Sequence, residues 1–155
     1  MLNHASSVVA FSPPPALLAG DGGLLDLAEP VEDTRVILIG ADTLELMCAL
    51  VRRGCASAAT VRLGERCDAH AAEIAIVPHL DSPACAETAV AQARRALVPL
   101  GSLVVRLAHD RYGIVATAAE MALRRHGFSA IRRTMLGSDL VFTAELPLYG
   151  QLAAA

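Results

Sequence analysis

The chain has no lysine and no tryptophan; all thirteen of its basic residues are arginine. Only Phe11, Phe128, Phe142, Tyr112 and Tyr149 are aromatic, so flat rings for stacking bases are scarce. Positive charge is not in excess either: sixteen acidic residues bring the formal net charge to -3. No stretch concentrates arginine as a nucleic-acid footprint would, and a simple basic nucleic-acid-binding protein is excluded. No apolar run reaches the roughly eighteen residues that a membrane-spanning helix needs. Among Cys48, Cys55, Cys67 and Cys85 there is no CxxC. The opening MLNHASSVVAFSPPP lacks the basic start of a secretory signal. Reduced thiols, no disulfide framework and a cytoplasmic location are therefore expected. There is no GxSxG around Ser6, Ser7 or any other serine, which argues against a nucleophile elbow.

What is present is a chain of 155 residues, 54% hydrophobic, enough for one domain with one real core. Disorder is excluded by that apolar fraction. Residues 1–34 are broken by Pro13-Pro14-Pro15, Gly20, Gly22, Gly23 and Pro30 and read as an arm with short helical turns. Its apolar side chains, Val8, Val9, Phe11, Leu17 and Leu18 among them, are expected to pack on the domain or on a partner. The domain proper is expected over 35–149, with 150–155 as a tail.

From Arg35 the pattern is regular. Val36-Ile37-Leu38-Ile39 before Gly40 is apolar on both faces, as a central strand of a parallel sheet must be. Thr43 is expected to open a helix that Gly54 stops. Thr60–Leu63 and Glu73–Pro78 read as the next strands, with a polar link from Gly64 to His70. Asp81-Ser82-Pro83 opens a helix with the stripe Ala86, Ala89, Val90, Ala93 and Leu97. Ser102–Leu107 is a fourth strand, and a helix spans Tyr112 to His126. Phe128–Thr134 and Asp139–Leu146 alternate and form a hairpin. The expected fold is α/β: a doubly wound, mostly parallel sheet of about six strands with a C-terminal antiparallel β-hairpin.

Three pieces of this pattern resemble the class I S-adenosylmethionine-dependent methyltransferases, a Rossmann-type fold. They are VILIGADTLELMCALVRRG, then EIAIVPHLDSPACAETAVAQARRALVPLGSLVVRL, and the last helix ending at His126-Gly127-Phe128 before the hairpin. The family's third strand and the helix before it have no counterpart between Leu63 and Glu73. The family's first motif is an acidic residue followed by GxGxG, whose glycines admit the cofactor. Here that loop reads Gly40-Ala41-Asp42-Thr43-Leu44, with Asp42 and Leu44 at the second and third glycine positions.

The resemblance with its altered loop implies a non-catalytic methyltransferase-like domain. It would need no cofactor and act as an interaction or regulatory module, self-associating or bound to another protein. The alternative is an active, divergent methyltransferase on a small molecule or protein. In that case Gly40, Asp42, Glu65 and His79 would line the S-adenosylmethionine site. The first reading expects Leu44 and Asp42 to fill the cofactor space; the second requires a cavity beside Gly40.

A third reading puts a nucleotide or metal on the rim beyond the strands' carboxyl ends. That rim would carry Asp42, Glu65, His79-Leu80-Asp81 and His109-Asp110. It requires His79 and His109 to converge, since imidazole serves acid/base work near neutrality. The plainer reading is that Asp42 and Asp81 cap helices. Cys67-x2-His70 with His79-x5-Cys85 is a loosely spaced zinc set. Arg52-Arg53, Arg94-Arg95 and Arg124-Arg125 fall near helix C-termini and suit the helix dipole, and Arg132-Arg133 lies on a strand. Arg106, inside an apolar strand, needs a partner if buried.

Overall fold

The computed structural model describes residues 21–30, 32–55, 57–107 and 113–148. The apolar run Val36–Ile39 forms the parallel strand β1 (Arg35–Ile39), preceded by helix α1 (Asp21–Ala28). Helix α2 (Leu44–Arg52) leads to β2 (Ser57–Val61), and β3 (Ala72–Leu80) to helix α3 (Pro83–Ala96). Then come β4 (Leu97–Leu107), helix α4 (Ile114–Arg125), β5 (Ser129–Leu136) and β6 (Asp139–Glu145). The described strands form one sheet in the order β2-β1-β3-β4-β6-β5. β2, β1, β3 and β4 are parallel, while β6 is antiparallel to both β4 and β5. This is the doubly wound sheet with a terminal hairpin that the alternation of elements predicts.

Alternation along β1 explains its continuous hydrophobicity. Val36 and Leu38 face a cluster with Leu24 and Leu25 of α1 and Leu46 and Leu50 of α2. Ile37 and Ile39 face the other cluster, with Ala89, Val90 and Ala93 of α3 and Ala119 and Leu123 of α4. Small alanines on α3 and α4 let both helices lie close to the sheet. Leu24 and Leu25 have no exposed surface, so the second half of the stretch read as an arm belongs to the core. Residues 1–20, including Val8, Val9, Phe11, Leu17 and Leu18, lie outside the described residues, as do 149–155.

Several boundaries differ from expectation, three of them through strand pairing. β2 begins at Ser57, because five residues, Ser57 to Val61, pair in register with the whole of β1. β3 runs on through His79 to Leu80, which pairs with Leu107. Leu97 ends no helix: its backbone is extended (ψ 140°) and it pairs with Ala72 to start β4. Burial is the same for Leu97 in either state, so periodicity could not tell them apart. No strand lies between β2 and β3, which leaves β2 at the edge of the sheet. Among the described residues no helix is long and apolar enough to cross a membrane.

Candidate functional site

At the carboxyl end of β1 the chain turns through Gly40, at φ 132°. No atom lies within 4 Å of the place a Cβ there would occupy. Asp42 follows at φ 54°, a left-handed conformation that Asp tolerates better than most residues. The loop therefore bends without glycine at that position. Beside it lies a cavity of about 360 Å³, near the lower end of the range for small-ligand sites.

Gly40, Ala41, Asp42 and Leu46 form one wall of this cleft; Val77, Pro78, His79 and Asp81 form another. Leu63, Asp21 and Arg106 complete it. Leu44, expected to fill the space, is 75% exposed and absent from the lining. It starts α2 on the outward side of the helix, which buries Leu46 and Leu50 instead. That expectation is corrected: the cleft is open beside Gly40.

The capping reading of the two aspartates is corrected as well. Thr43 is the N-cap residue of α2 and makes no side-chain cap bond. Ser82 caps α3, accepting the Cys85 N–H at 3.3 Å, with Pro83 in the first turn. Among the described residues neither Asp42 nor Asp81 caps a backbone N–H, and both line the cleft.

Arg106 finds the partner its position demands. Its Nε donates to the Pro78 carbonyl at 2.7 Å and its Nη2 to Asp21 Oδ1 at 3.0 Å. The guanidinium side chain is only 18% exposed, so α1 is tied electrostatically to the middle of the sheet at the cleft. Asp21 lies 85 residues away in sequence and no local pattern singles it out. With Arg106 committed to Asp21, Asp42 and Asp81 leave the cleft acidic. His79 Nε2 is 4.0 Å from Asp81 Oδ2 and both side chains are largely exposed, a loose pair at the mouth.

Of the residues named from sequence, the structure brings Gly40, Asp42 and His79 together and leaves Glu65 outside. Glu65 turns back on its own loop, where its carboxylate accepts the Arg62 N–H at 2.9 Å. Leu63 faces the cleft in its place. The loop is pinned to α3 by Gln92, whose amide oxygen accepts from Gly64 N and whose Nε2 donates to the carbonyls of Arg62 and Glu65.

The zinc set does not assemble. Cys67 is buried with its thiol toward the Gln92 carbonyl. His70 sits at the amino end of β3 with Nδ1 3.0 Å from the Leu97 carbonyl, while His79 is at the carboxyl end. Among the described residues no group of three or more His, Cys, Asp or Glu side chains is placed to hold a metal. His109 and Asp110 fall outside the described residues, and so does the expected convergence of His79 with His109.

The residues at the rim fit S-adenosylmethionine in part. An open cleft at a glycine turn and an acidic lining suit a ligand carrying sulfonium and ammonium charge. Leu63 offers no acceptor for ribose hydroxyls.

The sequence matches no protein-family model and no curated protein. Solved structures do match. An S-adenosylmethionine-dependent O-methyltransferase from Thermotoga maritima superposes with a TM-score of 0.64 at 10% identity, over 90% of this chain and 67% of that one. The 1,6-didemethyltoxoflavin-N1-methyltransferase of Burkholderia thailandensis gives 0.62 at 13% identity, over 82% of this chain and 76% of that one. A methyltransferase from Aquifex aeolicus gives 0.62 at 8% identity, over 87% of this chain and all of its own. The chain has the class I methyltransferase-like fold, without the third strand and preceding helix of the pattern it resembles.

Proposed function

We propose that this chain is a divergent S-adenosylmethionine-binding domain, with its ligand in the cleft beside Gly40. The observation that carries the reading is the open cleft itself: Leu44 is turned to solvent and Asp42 adopts the left-handed turn without blocking the space. When bound, S-adenosylmethionine supplies an electrophilic methyl group on a sulfonium. Gly40 lets the backbone approach a ligand closely. Asp42 and Asp81 hold positive charge, and Asp21 keeps Arg106 from opposing it. His79, at the mouth beside Asp81, is the residue placed to take a proton from an acceptor. Leu63 in place of an acid weakens the hold on ribose, so affinity in the micromolar-to-millimolar range is expected.

A second reading is a non-catalytic, self-associating module. What favours it is the outer face of α2, where Leu44, Cys48 and Val51 are all exposed at helical spacing, next to the open edge of β2.

Calorimetric titration with S-adenosylmethionine and S-adenosylhomocysteine tests both. The first reading expects one site per chain, weakened at least about tenfold by Asp42→Lys, a charge reversal beside the ligand. No heat at millimolar ligand in the stably folded chain overturns it. Light scattering then decides the second reading: a dimer that Leu44→Arg splits supports it, and a monomer at all concentrations ends it.

A further inference from the structure

The pole of the sheet opposite the cleft carries a second cavity, of about 400 Å³, at the amino ends of β3 and β4. Four of its lining residues bear or can bear positive charge: His70, Arg94, Arg95 and His126. They come from three places in the chain: the link before β3, the last turn of α3, and the end of α4. Among the described residues no carboxylate lines it, although the chain as a whole is net negative. The remaining wall is apolar, with Pro99, Leu146 and Pro147 among its members.

Two of the four groups are oriented by the backbone. Arg95 Nε donates to the Cys67 carbonyl at 3.0 Å, and His70 is held through Nδ1 at the Leu97 carbonyl. Arg94 makes no ion pair and no side-chain hydrogen bond among the described residues. A cation at a helix C-terminus ordinarily answers the dipole. Here the terminal carbonyls of Arg95 and Ala96 already accept the N–H groups of His70 and Ala71, at 3.0 and 2.8 Å. The dipole also gives no reason for two imidazoles from elsewhere to meet the arginines over an apolar wall. Glu87, which pairs with His126 and Arg125, is outside the lining.

We propose that this cavity binds a small amphipathic anion, a phosphate monoester or carboxylate with a compact apolar body. The charged head meets Arg94 and Arg95, and the body lies against Pro99, Leu146 and Pro147. The site is independent of the Gly40 cleft and stands whether or not that cleft binds its proposed ligand.

The test is titration of the full chain, followed by calorimetry and amide chemical shifts, with phenyl phosphate, hexanoate and neutral benzyl alcohol. One of the two anions is expected to saturate a single site below about 1 mM, with benzyl alcohol at least about tenfold weaker. Whichever anion binds more tightly identifies the head group. Arg94→Glu, and Arg94→Gln should the first variant lose its melting transition, is expected to weaken binding at least about tenfold, because a charge-assisted contact is lost. Arg52→Glu on the far face of α2 should leave it unchanged. Saturation by neither anion at about 10 mM, equal binding of benzyl alcohol, or wild-type affinity in the folded Arg94 variant overturns the proposal.

Discussion

Gly101 has no room for a side chain. A Cβ there would lie 2.8 Å from the Val98 carbonyl oxygen and 3.1 Å from that of Glu73. Both are backbone atoms, so the extra length that β4 carries between Leu97 and Ser102 would have to shift. Gly101→Ala is therefore expected to cost about 1–3 kcal/mol, as overpacking does, read as a lower urea midpoint. An unchanged midpoint would mean that the segment adjusts freely. The crowding was not legible in the sequence, because Gly101 lies inside β4 and Glu73 comes from another strand. The same limit applies at the glycine loop. Asp42 and Leu44 read as obstructions when counted against a motif. In the fold Asp42 takes up the turn, and the phase of α2 carries Leu44 outward, since Leu46 and Leu50 claim the core.

At the scale of elements, the segment from Arg62 to Ala71 stands where the resemblance leads one to expect a helix and a strand. Side chains of α3 hold it in place, Arg95 through the Cys67 carbonyl and Gln92 through the most bonds. Gln92 on α3 is 7% exposed and makes three hydrogen bonds to the backbone of this loop. Gln92→Leu removes all three and leaves the Gly64 N–H and the Glu65 carbonyl without these partners, while the Arg62 carbonyl keeps the Glu65 N–H, a loss of about 2–4 kcal/mol on ordinary hydrogen-bond values. The expected outcome is a lower melting temperature together with faster proteolysis within 62–71; melting and cleavage both at wild-type levels would refute the role. Because Leu63 lines the cleft, the same variant should also weaken any ligand bound beside Gly40. Strand and helix content was legible from periodicity, since β1, β3 and α3 each bury a regular set of apolar positions. The fastening was not: Gln92 sits in the helix's polar-looking sequence and its partners are about thirty residues away.

Across the whole molecule, three glutamates among the described residues tie separate elements together. Glu73 accepts from Arg35 and joins β3 to β1; Glu120 is shared by Arg133 and Arg124 and joins α4 to β5. Glu87 accepts from His126 and Arg125 and joins α3 to α4. Hydrogen bonds from these partners hold all three below the ordinary carboxylate range, with Arg35 the main cause at Glu73, His126 at Glu87 and Arg133 at Glu120. A depressed carboxylate stabilises the fold fully above its unfolded value, and that contribution is lost as pH falls through the folded one. Melting temperature is thus expected to drop on acidification through and below the carboxylate range. Glu87→Gln should lower it at neutral pH, and the gap to wild type should close at the acid end. A gap independent of pH would show that the side chain acts by packing alone.

The sequence by itself determined the layered α/β architecture, the terminal hairpin and the place of the rim. Those follow from apolar periodicity and turn residues, which act over neighbouring positions. Only the tertiary structure decided that the cleft is open, that Asp21 answers Arg106, that Glu65 turns away, and that His70, Arg94, Arg95 and His126 meet. Each of those depends on which distant residues the sheet order brings side by side, and local patterns carry no information about that pairing.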